Sequence, residues 1–448
     1  MISRQIVEEV LQQAKRKGAT EADLVLAENE LVTTQVRLGE TETLRSAKEV
    51  RLGLRLFFDK RSATSSTSDL STESLARLVE DTAVLAKAIA RDEYSGLPPA
   101  EECAKSVPDL HLYDSDGEAL TVKDQLDRAK AAEAAALSSD SRITNSEGAE
   151  FASNLYRIIY GSSQGFLGEY RGSTFSLAVS PIASSEDGNM QRDHWYSRAR
   201  HLAALEPPEA IGKRAAERAI GRLGARKITT QEVPVVFDSE TATNLLRIIC
   251  GALCGPALYR GASFLAGKLG ERIAAETVSV YDDGTLPGHL GSKPFDGEGL
   301  PTRRNTIMEN GVLRSYLLDS YSARKLGMKP TGNTSRGAGD SPTAWPTNFY
   351  LQAGPHEPAE IIRSVDAGLY VTELIGFGVN LVTGDYSQGA VGFWIEKGKL
   401  TYPVHEITIA GNLKEMLLGI EMVGNDLSFR QSVVAPTVKI RRMTVAGH

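Results

Sequence analysis

The stretch TIMENGVLRSYL, residues 306–317, decides the fold class of the C-terminal half of the chain. Apolar residues lie on both sides of Asn310-Gly311, a dipeptide that readily adopts the two positive φ angles of a type I′ turn. This pattern predicts a β-hairpin. A second, weaker hairpin is predicted at Lys397-Gly398, between the short runs 393–396 and 399–402.

Strand-forming residues and glycine dominate the sequence from about residue 277 onward. We therefore predict that residues 226–448 form one α+β domain, whose core is a large curled antiparallel β-sheet or barrel-like sheet with attached helices. Four elements precede or interrupt these strands, namely a strand at 233–237 and helices at 240–253, 321–326 and 357–367.

The first half of the chain shows the order helix, strands, helix twice. The run 50–56 alternates apolar and polar residues, which indicates a strand with one buried face. Thr121 and Asp124 stand at capping-box spacing before an Ala-rich helix. We predict two α+β subdomains, 1–100 and 110–225, each a meandering sheet with flanking helices, joined by the proline-containing stretch 94–109.

Length and charge exclude several classes of protein. The chain has 448 residues, 41% of them hydrophobic, so it can bury the cores of two or three domains. The 57 acidic residues outnumber the 50 basic ones and give a net charge of −7. Because phosphate binding depends on clustered Lys and Arg, we expect no direct nucleic-acid partner.

The cysteine content and the N-terminus predict a cytoplasmic protein. Three cysteines cannot form a disulfide framework, which indicates a reducing compartment. The first residues mix charged and apolar side chains and lack the apolar core of a signal peptide. The longest strongly apolar run, 248–259, is shorter than the roughly 20 residues that span a bilayer, so no membrane partner is expected.

Two short motifs match serine-enzyme patterns but lack their context. The stretch 161–165, GSSQG, fits G-x-S-x-G, yet the residues after it predict another strand instead of a helix. A hairpin turn is therefore favoured, and a nucleophile at Ser163 is the less favoured alternative. Ser322 and Lys325 fit S-x-x-K without the companion motifs of that class, so we interpret them as ordinary residues of a short helix.

The loop GNTSRG, residues 332–337, begins like a phosphate loop but continues with Ala338 where a lysine is required. The phosphate interpretation therefore fails. Arg336 remains as a cation that could bind a peptide backbone or a carboxylate. A purely structural turn is an equally open alternative.

The sequence predicts no metal site and no cofactor on this chain. No two of the seven histidines lie within five positions of each other. His405-Glu406 begins a zinc-type string, but the following residues predict a strand. Cys250 and Cys254 could share a helix face, yet no histidine is nearby, so they are interpreted as small buried residues.

The C-terminal half contains several long and specific strings of residues, namely GLYVTELIGFGVN (368–380), TGDYSQGA (383–390), GFWIE (392–396), YPV (402–404), EITIAGNLK (406–414), VGND (423–426), PFD (294–296) and YSARKLG (321–327). These strings resemble the TldE (PmbA) family, also known as modulators of DNA gyrase. The similarity is close in this half and looser before it, where it rests on 62–70 and 142–148.

This resemblance implies one subunit of a TldD/TldE metallopeptidase that degrades or processes unfolded peptides. TldD carries the zinc-type motif His-Glu-x-x-x-His, which the shared string around Arg260-Gly261 places on residues 246–251 of this chain. Leu246, Arg247 and Gly251 occupy the positions of the two histidines and the glutamate. The late cysteine ligand of TldD is also missing from the tail 429–436. The resemblance therefore implies that the zinc-type metal belongs to the TldD partner.

We accordingly expect a subunit that contributes cleft walls and substrate binding, is inactive without TldD, and forms a heterodimer with it or a homodimer alone. Sheet-edge pairing would let such a cleft bind any unfolded peptide. The alternative is a non-enzymatic interaction factor related to gyrase or to a toxin–antitoxin pair. The candidate residues for substrate or partner contact, which could equally be structural turns, are Thr331, Gly332, Asn333, Arg336, Asp385, Tyr386 and Ser387.

Overall fold

The computed structural model describes residues 2–447, which form nine α-helices and twenty β-strands. The helices are α1 (Ile2–Arg16), α2 (Thr72–Ala88), α3 (Val122–Ser139), α4 (Pro208–Gly221), α5 (Ser239–Leu253), α6 (Gly255–Tyr259), α7 (Ser320–Leu326), α8 (Pro358–Arg363) and α9 (Leu413–Leu418). The strands are β1 (Glu21–Arg37), β2 (Glu40–Phe58), β3 (Arg61–Thr67), β4 (Ile143–Ser162), β5 (Leu167–Ser184), β6 (Met190–Arg192), β7 (Trp195–Ala199), β8 (Gln231–Phe237), β9 (Val280–Asp283), β10 (Arg304–Glu309), β11 (Val312–Leu313), β12 (Thr334–Ser335), β13 (Thr343–Ala344), β14 (Phe349–Leu351), β15 (Ala367–Ile375), β16 (Asp385–Glu396), β17 (Lys399–Asn412), β18 (Ile420–Val423), β19 (Val433–Val434) and β20 (Val438–Ala446).

The first seven strands form one curled sheet in the order β3-β2-β1-β4-β5-β6, with β7 also paired to β5. Its centre is the antiparallel pair β1 and β4, in which Leu24 lies opposite Gly161. This pair joins the segments that the sequence assigned to two subdomains, so both contribute to one sheet. The predicted division of this half into two subdomains, 1–100 and 110–225, stays a prediction.

Helices cover one face of this sheet in two groups. Val7 and Val10 of α1 pack with α2 against buried leucines of β1 and β2. Ala132 of α3 and Ile211 of α4 pack against β4 and β5. The predicted capping box starts α3, because the Thr121 side chain accepts from the Asp124 backbone and the Asp124 side chain accepts in return.

The C-terminal half contains a closed five-stranded barrel, which confirms the predicted α+β class with a barrel-like sheet. Strands β17, β16, β15, β8 and β20 pair in that order, and β17 pairs back with β20 to close the ring. A second sheet has the order β11-β10-β9-β14-β19. Two pairs, β8 with β15 and β14 with β19, are parallel, which the hairpin patterns did not indicate.

All three predicted turns are confirmed. Asn310 and Gly311 have φ angles of 47° and 78° between β10 and β11. Lys397 and Gly398, at 49° and 72°, connect β16 to β17. The GSSQG stretch joins the hairpin strands β4 and β5 and is not followed by a helix. Ser163 therefore lacks the strand-to-helix turn that a nucleophile of this motif requires.

Two details of the helix prediction are wrong. The predicted helix 357–367 ends at Arg363, and Ala367 already belongs to β15. Helices α6 and α9 were not predicted, because each is only five or six residues long and shows less than two turns of periodicity. No helix within residues 2–447 has the length and apolar character needed to cross a bilayer.

Candidate functional site

Helix α5 lies where the family resemblance places the metal-binding helix. Asp238 caps its N-terminus by accepting a hydrogen bond of 2.8 Å from the Thr241 backbone. Leu246 is buried in the core of the C-terminal half. Gly251 has room beside it, since an added Cβ would meet its nearest neighbour, the Leu381 side chain, only at 3.8 Å.

The tail 429–436 packs against this helix. Arg247 Nη2 donates to the Gln431 side chain at 2.6 Å, and Ala435 N donates to Thr243 Oγ1 at 2.9 Å. The structure thus brings together the two segments, 246–251 and 429–436, that the sequence resemblance singles out for the metal ligands. Here they hold an apolar side chain, an arginine and an amide, which do not form a zinc donor set.

Tyr196 of the N-terminal sheet contacts both segments. Its hydroxyl donates to Glu240 of α5 at 3.0 Å and accepts from Gln431 of the tail at 2.5 Å. Burial, together with the Glu240 charge, raises the pKa of Tyr196 to about 12. Across residues 2–447, no group of three or more His, Cys, Asp or Glu side chains is arranged to hold a metal ion.

Three of the four candidates in the loop 331–336 hold that loop in place. Thr331 Oγ1 accepts from the Leu318 backbone at 2.8 Å. Gly332 has a φ angle of 74° and leaves no room for a Cβ. Asn333 is fully buried and donates to Asp282 at 2.6 Å, where burial raises the pKa of the carboxyl.

Arg336, the fourth candidate, has a different environment. Its side chain is 0% exposed, and Nη1 lies 2.9 Å from Oδ2 of Asp23 in β1. Its nitrogens make no hydrogen bond of acceptable geometry to any described residue. A buried guanidinium with unused donors is costly unless a further acceptor is supplied.

Asp23 is the centre of a buried ionic network between the two halves of the chain. Arg55 binds it with two hydrogen bonds of 3.0 and 2.7 Å, and Tyr160 Oη donates to it at 3.0 Å. Arg55 also lies 3.4 Å from Glu298 of the C-terminal half. Burial favours the neutral acid, but the charges of Arg336 and Arg55 outweigh it and hold the pKa of Asp23 below its ordinary value.

The candidates 385–387 lie at the start of β16. The exposed side chain of Asp385 accepts from Thr383 at 2.6 Å and from Asn412 at 3.1 Å. Tyr386 is buried, and its hydroxyl donates to the side chain of Gln388. These contacts support the loop 376–384, whose Phe377 side chain is 101% exposed.

The serine motifs are structural within the described residues. Ser163 Oγ accepts from the Ala22 backbone at 2.9 Å, so it ties the β4–β5 turn to β1. Ser322 is fully buried on α7, and its backbone N–H donates to the capping carboxylate of Asp319. Lys325 lies over the ring of Tyr94 at 4.2 Å.

Several cavities occur where the N-terminal sheet meets the C-terminal half, and two of them concern the candidate site. The larger, about 1210 Å³, lies between the edge strand β3 and helix α7. The smaller, about 240 Å³, is lined by three cations that include Arg336. The other two, Arg200 and Lys293, could not be identified from the sequence, because they are distant along the chain and neither belongs to a recognisable motif.

Comparison with known proteins places the chain in context. It matches the PmbA/TldA metallopeptidase C-terminal domain over residues 230–447, the central domain over 115–223 and domain 1 over 22–90. It is 36% identical to the metalloprotease PmbA of Escherichia coli O157:H7 over 99% of this chain and 97% of that protein. A PmbA homologue of Haemophilus influenzae is 36% identical, with 99% and 96% covered.

Solved structures show the same fold. A candidate modulator of DNA gyrase from Bacteroides thetaiotaomicron superposes with a TM-score of 0.92 at 29% identity, covering 99% of both chains. TldE from Thermococcus kodakarensis superposes with a TM-score of 0.89 at 22% identity, covering 99% of this chain and 100% of that one.

Proposed function

Since this chain belongs to the PmbA/TldE family, we propose that it is the metal-free subunit of a cytoplasmic TldD/TldE metallopeptidase that degrades or processes unfolded peptides. The close relatives carry the name metalloprotease, which supports a role in proteolysis. In this proposal the zinc-type metal is bound by a TldD-type partner. The chain itself supplies cleft walls and substrate contacts, and on its own it forms at most an inactive homodimer.

One observation above all supports the assignment of the metal to the partner and of the cleft walls to this chain. Helix α5 and the tail 429–436 lie together. The family resemblance aligns Leu246, Arg247 and Gly251 of this helix with the two imidazoles and the carboxylate of the zinc-type motif. A catalytic zinc site takes three protein ligands and an open position from one chain. A second chain without ligands can then enclose the peptide and exclude water from the metal.

The cleft of about 1210 Å³ is our candidate for the peptide path on this chain. It exceeds the roughly 300–1,000 Å³ typical of small-molecule pockets, so it suits a chain segment. Residues 62–64 of β3 line it, and β3 is an edge strand of the sheet. An edge strand offers unpaired backbone groups, which would bind an extended peptide without reading its sequence.

We propose the loop 376–384 as the contact with the TldD-type partner. Phe377 at its tip is fully exposed, and Leu381 at its base lies beside Gly251 of α5. The contacts of Asp385 and Ser387 support this loop from β16. Burial of an exposed aromatic side chain is a common anchor of a protein interface.

Reconstitution tests the proposal. The purified chain is mixed with its cognate TldD-type protein, and cleavage of an unfolded peptide is followed with each protein alone and with both. We expect no cleavage by this chain alone and a marked increase when it is added to the partner. Equal activity of the partner with and without this chain would contradict the proposal.

Three further measurements distinguish a peptidase subunit from a non-enzymatic interaction factor. Phe377→Ser should weaken complex formation and activity together without changing the melting temperature, whereas Leu400→Ser, at another exposed apolar residue, should leave both unchanged. Elemental analysis should find no stoichiometric zinc on this chain. Recovery of a gyrase or toxin–antitoxin protein but no TldD-type protein in a pull-down would favour the non-enzymatic alternative.

A further inference from the structure

The smaller cavity, about 240 Å³, lies between the N-terminal sheet and the segment 290–297. Tyr156, Tyr160 and Tyr170 of the sheet form its aromatic wall together with Phe295. It is smaller than the roughly 300 Å³ at which pockets begin to enclose whole drug-sized ligands. Its size therefore suits a terminal group of a ligand.

Three cations line this cavity, and none has its charge fully matched. Arg200 is 5% exposed, and its four hydrogen bonds go to neutral oxygens, including Tyr156 Oη at 2.5 Å and Leu290 O at 2.6 Å. No carboxylate among the described residues lies within ion-pair distance of Arg200. Lys293 Nζ donates to the Thr334 carbonyl at 2.8 Å, again a neutral acceptor.

Arg336 adds the third charge and unused donors. Its nitrogens make no hydrogen bond to a described residue, although Nη1 lies 2.9 Å from Asp23. That carboxylate is shared, because Arg55 already binds both of its oxygens. Arg336 therefore shares its one neighbouring carboxylate with Arg55, and several of its N–H groups have no acceptor.

The one carboxylate that lines the cavity, Asp296, is held by backbone donors, although its charge also acts on Lys293. Its oxygens accept from the backbone N–H groups of Glu298, Leu300 and Thr334 at 2.9 to 3.0 Å. The lining thus contains three cations against one carboxylate. An anion in the cavity would offset this excess and supply the missing acceptors.

We propose that this cavity binds a carboxylate, namely the free C-terminal carboxylate of a peptide chain held by Arg200, Lys293 and Arg336. Planar guanidinium groups match a carboxylate through two parallel hydrogen bonds, and the tyrosine wall accommodates an apolar terminal side chain. That the carboxylate belongs to a peptide rests on the proposed function, whereas the charge argument does not. A free small carboxylate is the other source of the same chemistry.

Calorimetry on the unmodified full chain, without a partner, tests the proposal. The probes are the tripeptide Ala-Ala-Phe with a free C-terminus, the same peptide with a C-terminal amide, and N-acetyl-phenylalanine. We expect the free acid to bind at least tenfold more tightly than the amide. Equal affinity of acid and amide would overturn the carboxylate site, and equal affinity of N-acetyl-phenylalanine and the peptide acid would overturn the assignment to a peptide end.

Variants locate the binding. Arg336→Met and Lys293→Met should each weaken binding of the peptide acid at least tenfold, and Arg336→Lys should restore part of it. Arg77→Met, at an exposed arginine of α2 that lines neither cavity, should change nothing. An unchanged affinity in both cavity variants would overturn the proposal. If they fail to fold, the comparison of acid and amide on the unmodified chain still decides it, and failure of the reconstituted peptidase assay would not affect that result.

Discussion

Asp23 carries the charge on which two buried arginines depend. Arg55 and Arg336 both lie within 3.0 Å of its carboxylate, and the side chains of all three are at most 10% exposed. The group stays ionised in the folded protein, since the neighbouring charges keep its pKa low in spite of burial. Removing one member of such a buried network leaves uncompensated charge behind.

The first prediction is that Asp23→Asn lowers the free energy of unfolding by about 3–5 kcal/mol, because Arg55 and Arg336 lose their shared carboxylate. Chemical denaturation at neutral pH measures it. The matched control is Glu30→Gln, which removes an exposed carboxylate from its pair with Lys48 and should cost less than about 1 kcal/mol. Similar losses in the two variants would contradict this account of the network.

The second prediction concerns pH. Burial and the nearby Glu298 charge raise the pKa of Asp296 to about 6, so this carboxyl becomes neutral as the pH falls through 6. Burial also lowers the pKa of Lys293 from its ordinary value. A peptide carboxylate stays ionised above about pH 5.

The affinity of the cavity for a peptide carboxylate should therefore rise about three- to tenfold between pH 7.5 and 5.5, as titration calorimetry in matched buffers can measure. The amide of the same peptide serves as the control and should show no such rise. A fall in affinity over this range would contradict the assigned charges.

From the sequence, Arg336 could be predicted as a cation able to bind a carboxylate, but its partners could not. Asp23 and Arg336 lie in opposite halves of the chain, so no local pattern indicates their contact. Thr331 and Asn333 were candidates together with Arg336 because they belong to the same polar loop. Their structural roles depend on Leu318 and Asp282, which are distant in sequence.

At the scale of the elements, the packing of helix α4 against helix α3 depends on a close backbone contact at one glycine. Gly212 of α4 lies so near to α3 that an added Cβ would be 2.2 Å from the Ala132 carbonyl oxygen. Gly251 of α5 has no such neighbour, since its nearest contact would be 3.8 Å away. The same substitution can therefore be compared at two helical glycines, one with a close neighbour and one with free space beside it.

The third prediction is that Gly212→Ala destabilises the protein by about 1–3 kcal/mol, because α3 and α4 must separate. Gly251→Ala should instead be neutral or stabilise by up to about 1 kcal/mol, because alanine favours the helix and nothing opposes it. Thermal unfolding of both variants measures the difference. A destabilising Gly251→Ala would show that the space beside α5 is not free.

Local elements could be predicted from the sequence where a turn or a helix cap requires particular residues at adjacent positions. The type I′ hairpin at Asn310-Gly311 and the capping box at Thr121 are specified by adjacent residues. The parallel pairing of β8 with β15 is not, since the barrel that brings them together forms over long sequence separations. For the same reason the sheet shared by both N-terminal segments could not be seen in their separate patterns.

At the scale of the whole molecule, Arg324 joins the two halves. From α7 it donates to the backbone carbonyls of Tyr94, Gly96 and Leu97, at 2.6, 2.8 and 3.4 Å. Beside it, Tyr321 Oη donates to Asp92 at 2.7 Å. The segment that the sequence suggested as a linker is thus fastened to the C-terminal half.

The fourth prediction is that Arg324→Met lowers stability by about 2 kcal/mol or more and makes the segment 94–97 sensitive to proteolysis, because three carbonyls lose a charged donor. Limited proteolysis with mass spectrometry locates the cut. Lys329→Met, an exposed change just after the same helix, should alter neither property. Cleavage elsewhere but not in this segment would contradict the assigned role.

The closed barrel has a consequence for the order in which the chain is made. Strand β8 emerges from the ribosome early in the synthesis of the C-terminal half, but its two neighbours in the ring, β15 and β20, follow much later, and β20 is the last of the described strands. Until then β8 has two unpaired edges, which favour aggregation. Nascent chains that stall before β20 should therefore be strong clients of ribosome-associated chaperones, and release of those clients should coincide with closure of the ring.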